Sequence, residues 1–305
     1  MGGRPPGWSP ILMLELSGVC AMPLTTTVGG VWTLQALLGV ETMPAVLRIK
    51  PFIPSVHESL IVETTAGPLP LNQTGEYLGL VEAGVIDASG HVDDVVRDWM
   101  TVLGRPGRQV VLSIRRPAGE EQGSPIVHER VVVVCRHRRW MAMAARDGDE
   151  VVIDAVGEAD GPDEQVQLMC APLLAALGQA PPAPIEGVNI PAELLASTLA
   201  HTAAYGRDAI AAAMGRLGLQ PAQAEVLTAA TRPDESAMAV VAVVDHGISH
   251  HVHPRVLTVA DTDYGRISMT TTVAADGKTW MSVWPASISA LHDDLAELLA
   301  LPRAA

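Results

Sequence analysis

QVVLSIRRPAGEEQGSPIVHERVVVVCRHRRWMAMAARDGDEVVIDAV, residues Gln109 to Val156, holds four apolar runs that read as consecutive strands of an antiparallel sheet. Gln109–Ile114 alternates, placing Val110, Leu112 and Ile114 on one face. Successive strand side chains point to opposite faces, so alternation of this kind marks a strand buried on one side. Glu129–Arg136 carries the valines Val131 to Val134, and Trp140–Ala145 and Glu150–Val156 complete the set. Asp147-Gly148 stands between the last two runs. It is a hairpin signal, because a two-residue turn needs a positive φ that glycine adopts without strain. Arg115–His128 separates the first two runs and is far longer than a tight hairpin requires. Long connections of this kind often carry function.

A looser copy of the block lies at Ala237–Trp284, with runs Ala237–Val244, Arg255–Ala260, Gly265–Val273 and Lys278–Trp284. Asp276-Gly277 precedes the last run, as Asp147-Gly148 does in the first block. Helical spacing precedes each block, at Val31–Leu38, Glu76–Gly84 and Val92–Leu103 and again at Pro191–His201, Arg207–Leu217 and Gln220–Thr228. One helix follows each block, Glu164–Leu177 with a kink expected at Pro172, and Ser289–Leu301. Thr25–Val28 reads as a short strand, Val46–Lys50 as extended chain and His57–Asn72 as irregular. Val81 and Val95 fall on the apolar stripes of their helices. Arg105-Pro106 and Arg232-Pro233 are about 127 residues apart, and the two Asp-Gly pairs about 129. The repeat predicts a pseudo-twofold α+β molecule in which one antiparallel sheet is shared and helices pack on it. Its halves are residues 22–163 and 164–305 of a single domain.

Composition narrows the function. With 48% hydrophobic residues but only six Trp, three Tyr and one Phe, a sizeable core must be mostly aliphatic. A net charge of -14 argues against nucleic acid, whose phosphates need clustered Lys and Arg. Cys20, Cys135 and Cys170 show no paired spacing, which fits a reducing compartment. No apolar run approaches the roughly 18 residues of a membrane span. Arg4 and Ile11–Leu14 faintly resemble a signal peptide, but Glu15 interrupts the apolar run. Residues 1–21 therefore read as a flexible extension, Met22 as an alternative start, and the chain as cytosolic.

Candidate sites are few. His246 to Pro254 is a second long connection and holds His246, His250, His251 and His253. His251 and His253 would share a strand face, yet no Cys, Asp or Glu at fixed spacing completes a metal set, and a solvated polar loop is the expectation. Arg136, His137, Arg138 and Arg139 form the one dense basic cluster, read as a hairpin turn suited to an acidic partner. Asp261, Asp263 and Asp276 sit at strand ends, where Asp serves local hydrogen bonding. The sequence lacks G-x-S-x-G, G-x-G-x-x-G, P-loop, H-E-x-x-H and C-x-x-C patterns. Two alternatives remain open from the residues alone: a small-ligand-binding α+β module, and a metal-dependent hydrolase using His250–His253.

Several segments, in order, resemble the EspG family, cytosolic chaperones of mycobacterial type VII (ESX) secretion. Leu24-Thr-Thr-Thr-Val-Gly-Gly-Val-Trp32-Thr-Leu-Gln-Ala-Leu-Leu-Gly39 is similar to the family's opening strand and helix. Arg48–Pro54, Gly84–Gly90, Thr101–Pro106, Ala144–Asp149, Asp261–Ile267 and Trp284-Pro285 match further segments, so that the resemblance spans Met22 to Leu301. It implies an antiparallel sheet flanked by two helical bundles. It also implies binding of PE–PPE heterodimers at the hydrophobic tip of the PPE helical rod, without catalysis or cofactor, to keep them soluble until export. Client contact in the family comes from the sheet, an arm between the second and third strands, and the C-terminal bundle. That arm corresponds here to Arg116–His128. The residues expected at the interface are Ile126 and Val127 for apolar contact, with Arg116, Glu120, Glu121 and His128 as a polar rim. Val226, Leu227 and Met238 are expected to join them from the second half. A homodimer of the free protein also stays open.

Overall fold

Short runs of β-branched residues become strands only where a neighbour takes up their backbone groups, and in this chain nearly every one finds such a neighbour. The computed structural model describes residues 22–52, 60–64, 67–121, 124–247 and 249–300, so the extension expected over residues 1–21 lies outside the described residues. β1 (Leu24–Thr27) leads straight into α1 (Val28–Leu38). The Thr27 hydroxyl accepts from the Gly30 N–H at 3.1 Å and caps the helix start. Val46–Lys50 is not extended: Ala45–Leu47 forms a 3-10 turn that buries Leu47 completely, and this burial outweighs strand propensity. β2 (Ile61–Thr64) and β3 (Gly67–Pro70) form a hairpin inside the segment expected to be irregular. Its prolines are tolerated because a two-stranded hairpin has only edge strands.

α2 (Gly75–Glu82) and α3 (Asp94–Gly104) complete the first helical layer. The Asp93 carboxylate caps α3, accepting from the N–H groups of Val95 and Val96. Val81 and Val95 are exposed, because α2 and α3 bury narrower stripes, around Leu80 and around Val96, Trp99, Met100 and Leu103. β4 (Arg108–Glu121), β5 (Ser124–His137), β6 (Trp140–Asp147) and β7 (Glu150–Glu158) form an antiparallel meander. α4 (Pro162–Leu177) follows and continues through Pro172 without a break in the helix.

In the second half, β8 (Val188–Pro191) precedes α5 (Ala192–Thr202), α6 (Arg207–Arg216) and α7 (Pro221–Ala230). β9 (Ser236–His246), β10 (His250–Val252), β11 (Leu257–Thr262), β12 (Gly265–Val273), β13 (Thr279–Pro285) and α8 (Ile288–Leu299) end the described chain.

The strand order is β1-β7-β6-β5-β4-β9-β11-β12-β13-β8, with β10 paired to β9. Read from either end, the order is the same: an edge strand, a meander taken backwards, then the meander's first strand at the centre. β8 thus does at one edge what β1 does at the other. β4 and β9 meet antiparallel, and their register sets Ser113 opposite Val240. These two residues are separated by the same interval as Arg105 and Arg232, so the pseudo-twofold axis passes between them. α4 follows β7 as α8 follows β13, so the symmetry carries the first half beyond residue 163, through α4.

The sheet is covered unequally. On one face, α4 and α8 lay Met169, Leu173, Leu177, Leu291, Leu295 and Leu298 over Val110, Leu112, Ile114, Val132, Val134, Val241 and Val243. On the other, α1 and α3 cover Val131, Val133 and Cys135, while α5, α6 and α7 cover Ala260, Ile267 and Val283.

Two buried arginines fasten the α4 and α8 layer to the sheet. Arg108 donates to both Asp245 carboxylate oxygens, at 2.7 and 2.9 Å, and to the Leu299 carbonyl at the end of α8, at 2.8 Å. Arg266 does the same with Asp261 and with the carbonyls of Leu177 and Gly178 at the end of α4. A cation at a helix C-terminus satisfies orphaned carbonyls and complements the helix dipole. Because Arg108 and Asp245 are direct partners across the β4–β9 seam, their pair is the more central of the two. Arg108→Met should lower the free energy of urea unfolding by about 3–5 kcal/mol, since it leaves a buried carboxylate short of its main partner. Arg108→Met combined with Asp245→Leu should recover most of that loss.

Candidate functional site

β9 flanks β4 only as far as the pair Arg115–Met238, and β6 flanks β5 only as far as Arg130–Asp147. Beyond those pairs β4 and β5 continue together to Glu121–Ser124, and among the described residues no strand flanks them on either side. The connection expected between two shorter strands is therefore a projecting β-ribbon. Ala118 is the extra residue of a bulge between Pro117 and Gly119, and Gly119 takes φ 116°, a value other residues rarely adopt. Ribbon edges of this kind present unpaired backbone groups to a partner.

Of the expected interface residues, six lie on this ribbon. Ile126 and Val127 are 41% and 37% exposed, Glu120, Glu121 and His128 are exposed, and Arg116 is half-buried at the base. Arg116 and His128 are register partners. His128 Nε2 lies 2.5 Å from Asp147 Oδ1, and Arg130 donates twice to Asp147 Oδ2, at 2.8 and 3.0 Å. Burial pushes the Asp147 carboxyl up, but the bonds and charges of Arg130 and His128 outweigh it and hold the group below its ordinary range. Burial and the charge of Arg130 depress Arg116, less than fully offset by Asp147 and Asp261.

The sheet face that carries the ribbon's odd-numbered β5 residues is left open between the two helical layers. Val111, Ser113, Met238, Val240 and Ala242 are only half-buried there, an apolar trough centred on the pseudo-twofold pair Ser113–Val240. The sequence alone singled out only Met238 of this set. The missing signal was available: Val111 and Ser113 alternate with the core positions Val110, Leu112 and Ile114. Whether helices cover the alternate face is not written in one strand. A polar flank borders the trough at Glu129, which accepts from Ser113 at 3.1 Å, Arg48 at 2.8 Å and Arg115 at 3.5 Å. Partial burial raises the Glu129 carboxyl, but these donors more than offset it and the net shift is downward.

Val226 and Leu227 do not face a partner. They are 2% and 1% exposed, packed on α7 against Ile190, Leu195, Ile210 and Met214. Helical spacing put them on an apolar face, and that face is the internal one.

The histidine segment is not a free loop either. β10 folds back on β9, and buried His253 places Nε2 2.8 Å from Asp245 Oδ2. His246 reaches Gln109 Oε1 at 3.2 Å, and burial, then His250, lowers its pKa. Among the described residues no group of three or more His, Cys, Asp or Glu is placed to hold a metal. Burial also pushes the Cys170 thiol up to about 11 and raises Cys135, so neither is an activated nucleophile. A cavity of about 490 Å³, lined in part by Trp32, Arg48, Lys50, Val62, Leu71 and Glu76, shares Arg48 with the trough's polar flank.

Fold and surface together define a quasi-twofold α+β protein whose accessible feature is an open sheet face with a ribbon beside it. A family profile described as the EspG family matches residues 27–297, and the chain belongs to that family. It is 28% identical over 252 residues to the ESX-2 secretion-associated protein EspG2 of Mycobacterium tuberculosis, covering 80% of this chain and 83% of that protein. It is 24% identical over 279 residues to the ESX-5 secretion-associated protein EspG5 of the same organism, covering 87% and 88%. The fold is similar, with a TM-score of 0.70 at 22% identity over 92% of this chain and 97% of the other, to the M. tuberculosis type VII secretion system chaperone EspG5 solved in complex with a PE25–PPE41 dimer.

The Asp147 pair makes a pH prediction for the ribbon's base. The folded pKa lies below the unfolded value of about 3.9, so the contribution is full above that pH and is lost as pH falls through the folded value. Asp147→Asn should therefore be less stable than wild type at neutral pH, and the difference should shrink on acidification below about pH 4. Urea unfolding across that range measures it.

Proposed function

We propose that this protein is a cytosolic, non-enzymatic chaperone that binds the hydrophobic tip of PPE in PE–PPE pairs and holds them competent for type VII secretion. The observation that carries this reading is the half-buried apolar trough over β4 and β9, continued along the same face of an exposed ribbon by Val127, with Ile126 exposed on the ribbon's other face. An exposed apolar helix tip is an aggregation liability. A complementary apolar surface removes it without any chemistry, at about 25 cal/mol per Å² of apolar area covered. The EspG5 structure with a PE25–PPE41 dimer supports the choice of partner. That no described helix is long and apolar enough to cross a membrane is compatible with a cytosolic site of action.

Within this reading, Ile126, Val127 and Met238 supply apolar contact, and Arg116, Glu120, Glu121 and His128 form the polar rim. Val226 and Leu227 support the second bundle from inside. The two related halves form one domain from residue 22 onward, the first extended through α4. The ribbon's unpaired edges also suit self-association of the free protein into a homodimer.

Co-expression with PE–PPE pairs followed by size exclusion tests the proposal: co-elution with at least one pair is expected, and failure with every pair from the same genome would overturn it. Replacing residues 118–126 with Asn-Gly joins the register partners Pro117 and Val127 through a two-residue turn. This variant should keep the wild-type circular dichroism spectrum and bind the pair at least about tenfold more weakly, a loss of roughly 1.4 kcal/mol. Leu227→Ala should behave oppositely, losing about 2–5 kcal/mol of stability.

A further inference from the structure

At the end of β5 remote from the ribbon tip, roughly 45 Å away along the strand, the chain turns through Arg138 and Arg139 into β6. This is a two-residue hairpin, with His137 paired to Trp140 across it. The next hairpin, from β6 to β7, has the same construction, with Asp147 paired to Glu150. There the first loop residue is Gly148 at φ 63°; in the β5–β6 turn the same position is Arg138 at φ 58°. A left-handed conformation is unfavourable for a side chain such as arginine, and residues kept in one against their preference cluster at functional positions. The chain therefore uses glycine for this geometry in one turn and retains arginine in the other.

The surroundings explain what the arginine is for. Trp140 is 50% exposed, and the Arg139 guanidinium lies 5.2 Å from the centre of its ring. Arg139 is also paired with Glu158, which fixes it over the indole. The α3–β4 connection adjoins the turn through its backbone, the Arg105 carbonyl oxygen lying 2.5 Å from His137 Nδ1. Arg105 and Arg138 are exposed and form no ion pair among the described residues. A chain of net charge -14 has no need of exposed cations for solubility. An arginine held over a half-exposed tryptophan, with further exposed arginines in the same turn and the adjoining connection, has the composition of an interface hot spot.

We infer that the β5–β6 turn is a second docking site, which binds an acidic segment of a protein partner through Arg105, Arg138 and the Arg139-clamped Trp140. Its acidic residues would meet the guanidinium groups and an apolar side chain would cover the indole. The site lies at the opposite end of β5 from the ribbon tip and does not rest on the client proposed for the trough and ribbon.

The test uses the full chain and a short fluorescein-labelled peptide of alternating Glu and Leu at low ionic strength. Saturable binding is expected, with a shift in tryptophan emission that Trp140→Ser abolishes and an affinity that falls as salt rises. Arg138→Gly should melt no lower than wild type, because glycine accepts this turn, yet bind the peptide about fivefold or more weakly. An affinity unchanged in Arg138→Gly would overturn the inference. So would equal binding of a Lys-Leu peptide, or binding to anionic vesicles without binding to the acidic peptide.

Discussion

Arg108 and Asp245 face each other across β4 and β9, the strands at which the two halves of the sheet meet, and both are buried. A bidentate pair in such a place is strongly orienting, because any shift in the β4–β9 register would separate two opposite charges in a medium that does not solvate them. The same guanidinium also holds the Leu299 carbonyl, so the seam and the end of α8 are fixed by one group. His253 closes the other side of the carboxylate. Four histidines in one short segment read as a solvated polar loop; one of them, His253, instead has a structural task in the shell of this ion pair.

With the seam and both covering helices fixed from one side, the opposite face of the central strands can stay open. α1 to α3 and α5 to α7 pack over the two wings of the sheet and leave Val111, Met238, Val240 and Ala242 between them. The ribbon leaves the sheet at the edge of this trough, where the flanking strands stop. A rigid apolar floor beside a two-stranded element without lateral support combines shape with adaptability. Segments with few neighbours are the ones that open most readily in a native protein.

Much of the fold was legible. Val110, Leu112 and Ile114 alternate as a one-sided strand must, the Asp147-Gly148 turn marked a hairpin, and the Arg105–Arg232 interval revealed the duplication. The failures have physical causes. The β2–β3 hairpin hid behind Pro68 and Pro70, which a strand admits only at an edge. β8 is four residues long and becomes a strand because β13 offers it an edge. The segment Arg116–His128 was recognised as special, but its pairing into a ribbon depends on a bulge at Ala118 that composition does not announce.

The sequence by itself determined the local periodicities, the repeat and, through the order of its segments, the family, because these depend on neighbours along the chain. Only the tertiary structure decided which apolar residues are available to a partner. Val226, Leu227 and Met238 looked alike as hydrophobic residues of the second half; two are sealed inside a helical bundle and the third borders the open trough. Gln109–Val156 showed the same division: Val110, Leu112 and Ile114 are core while Val111 and Ser113 line the trough, because helices from distant parts of the chain cover one face of that strand and leave the other open.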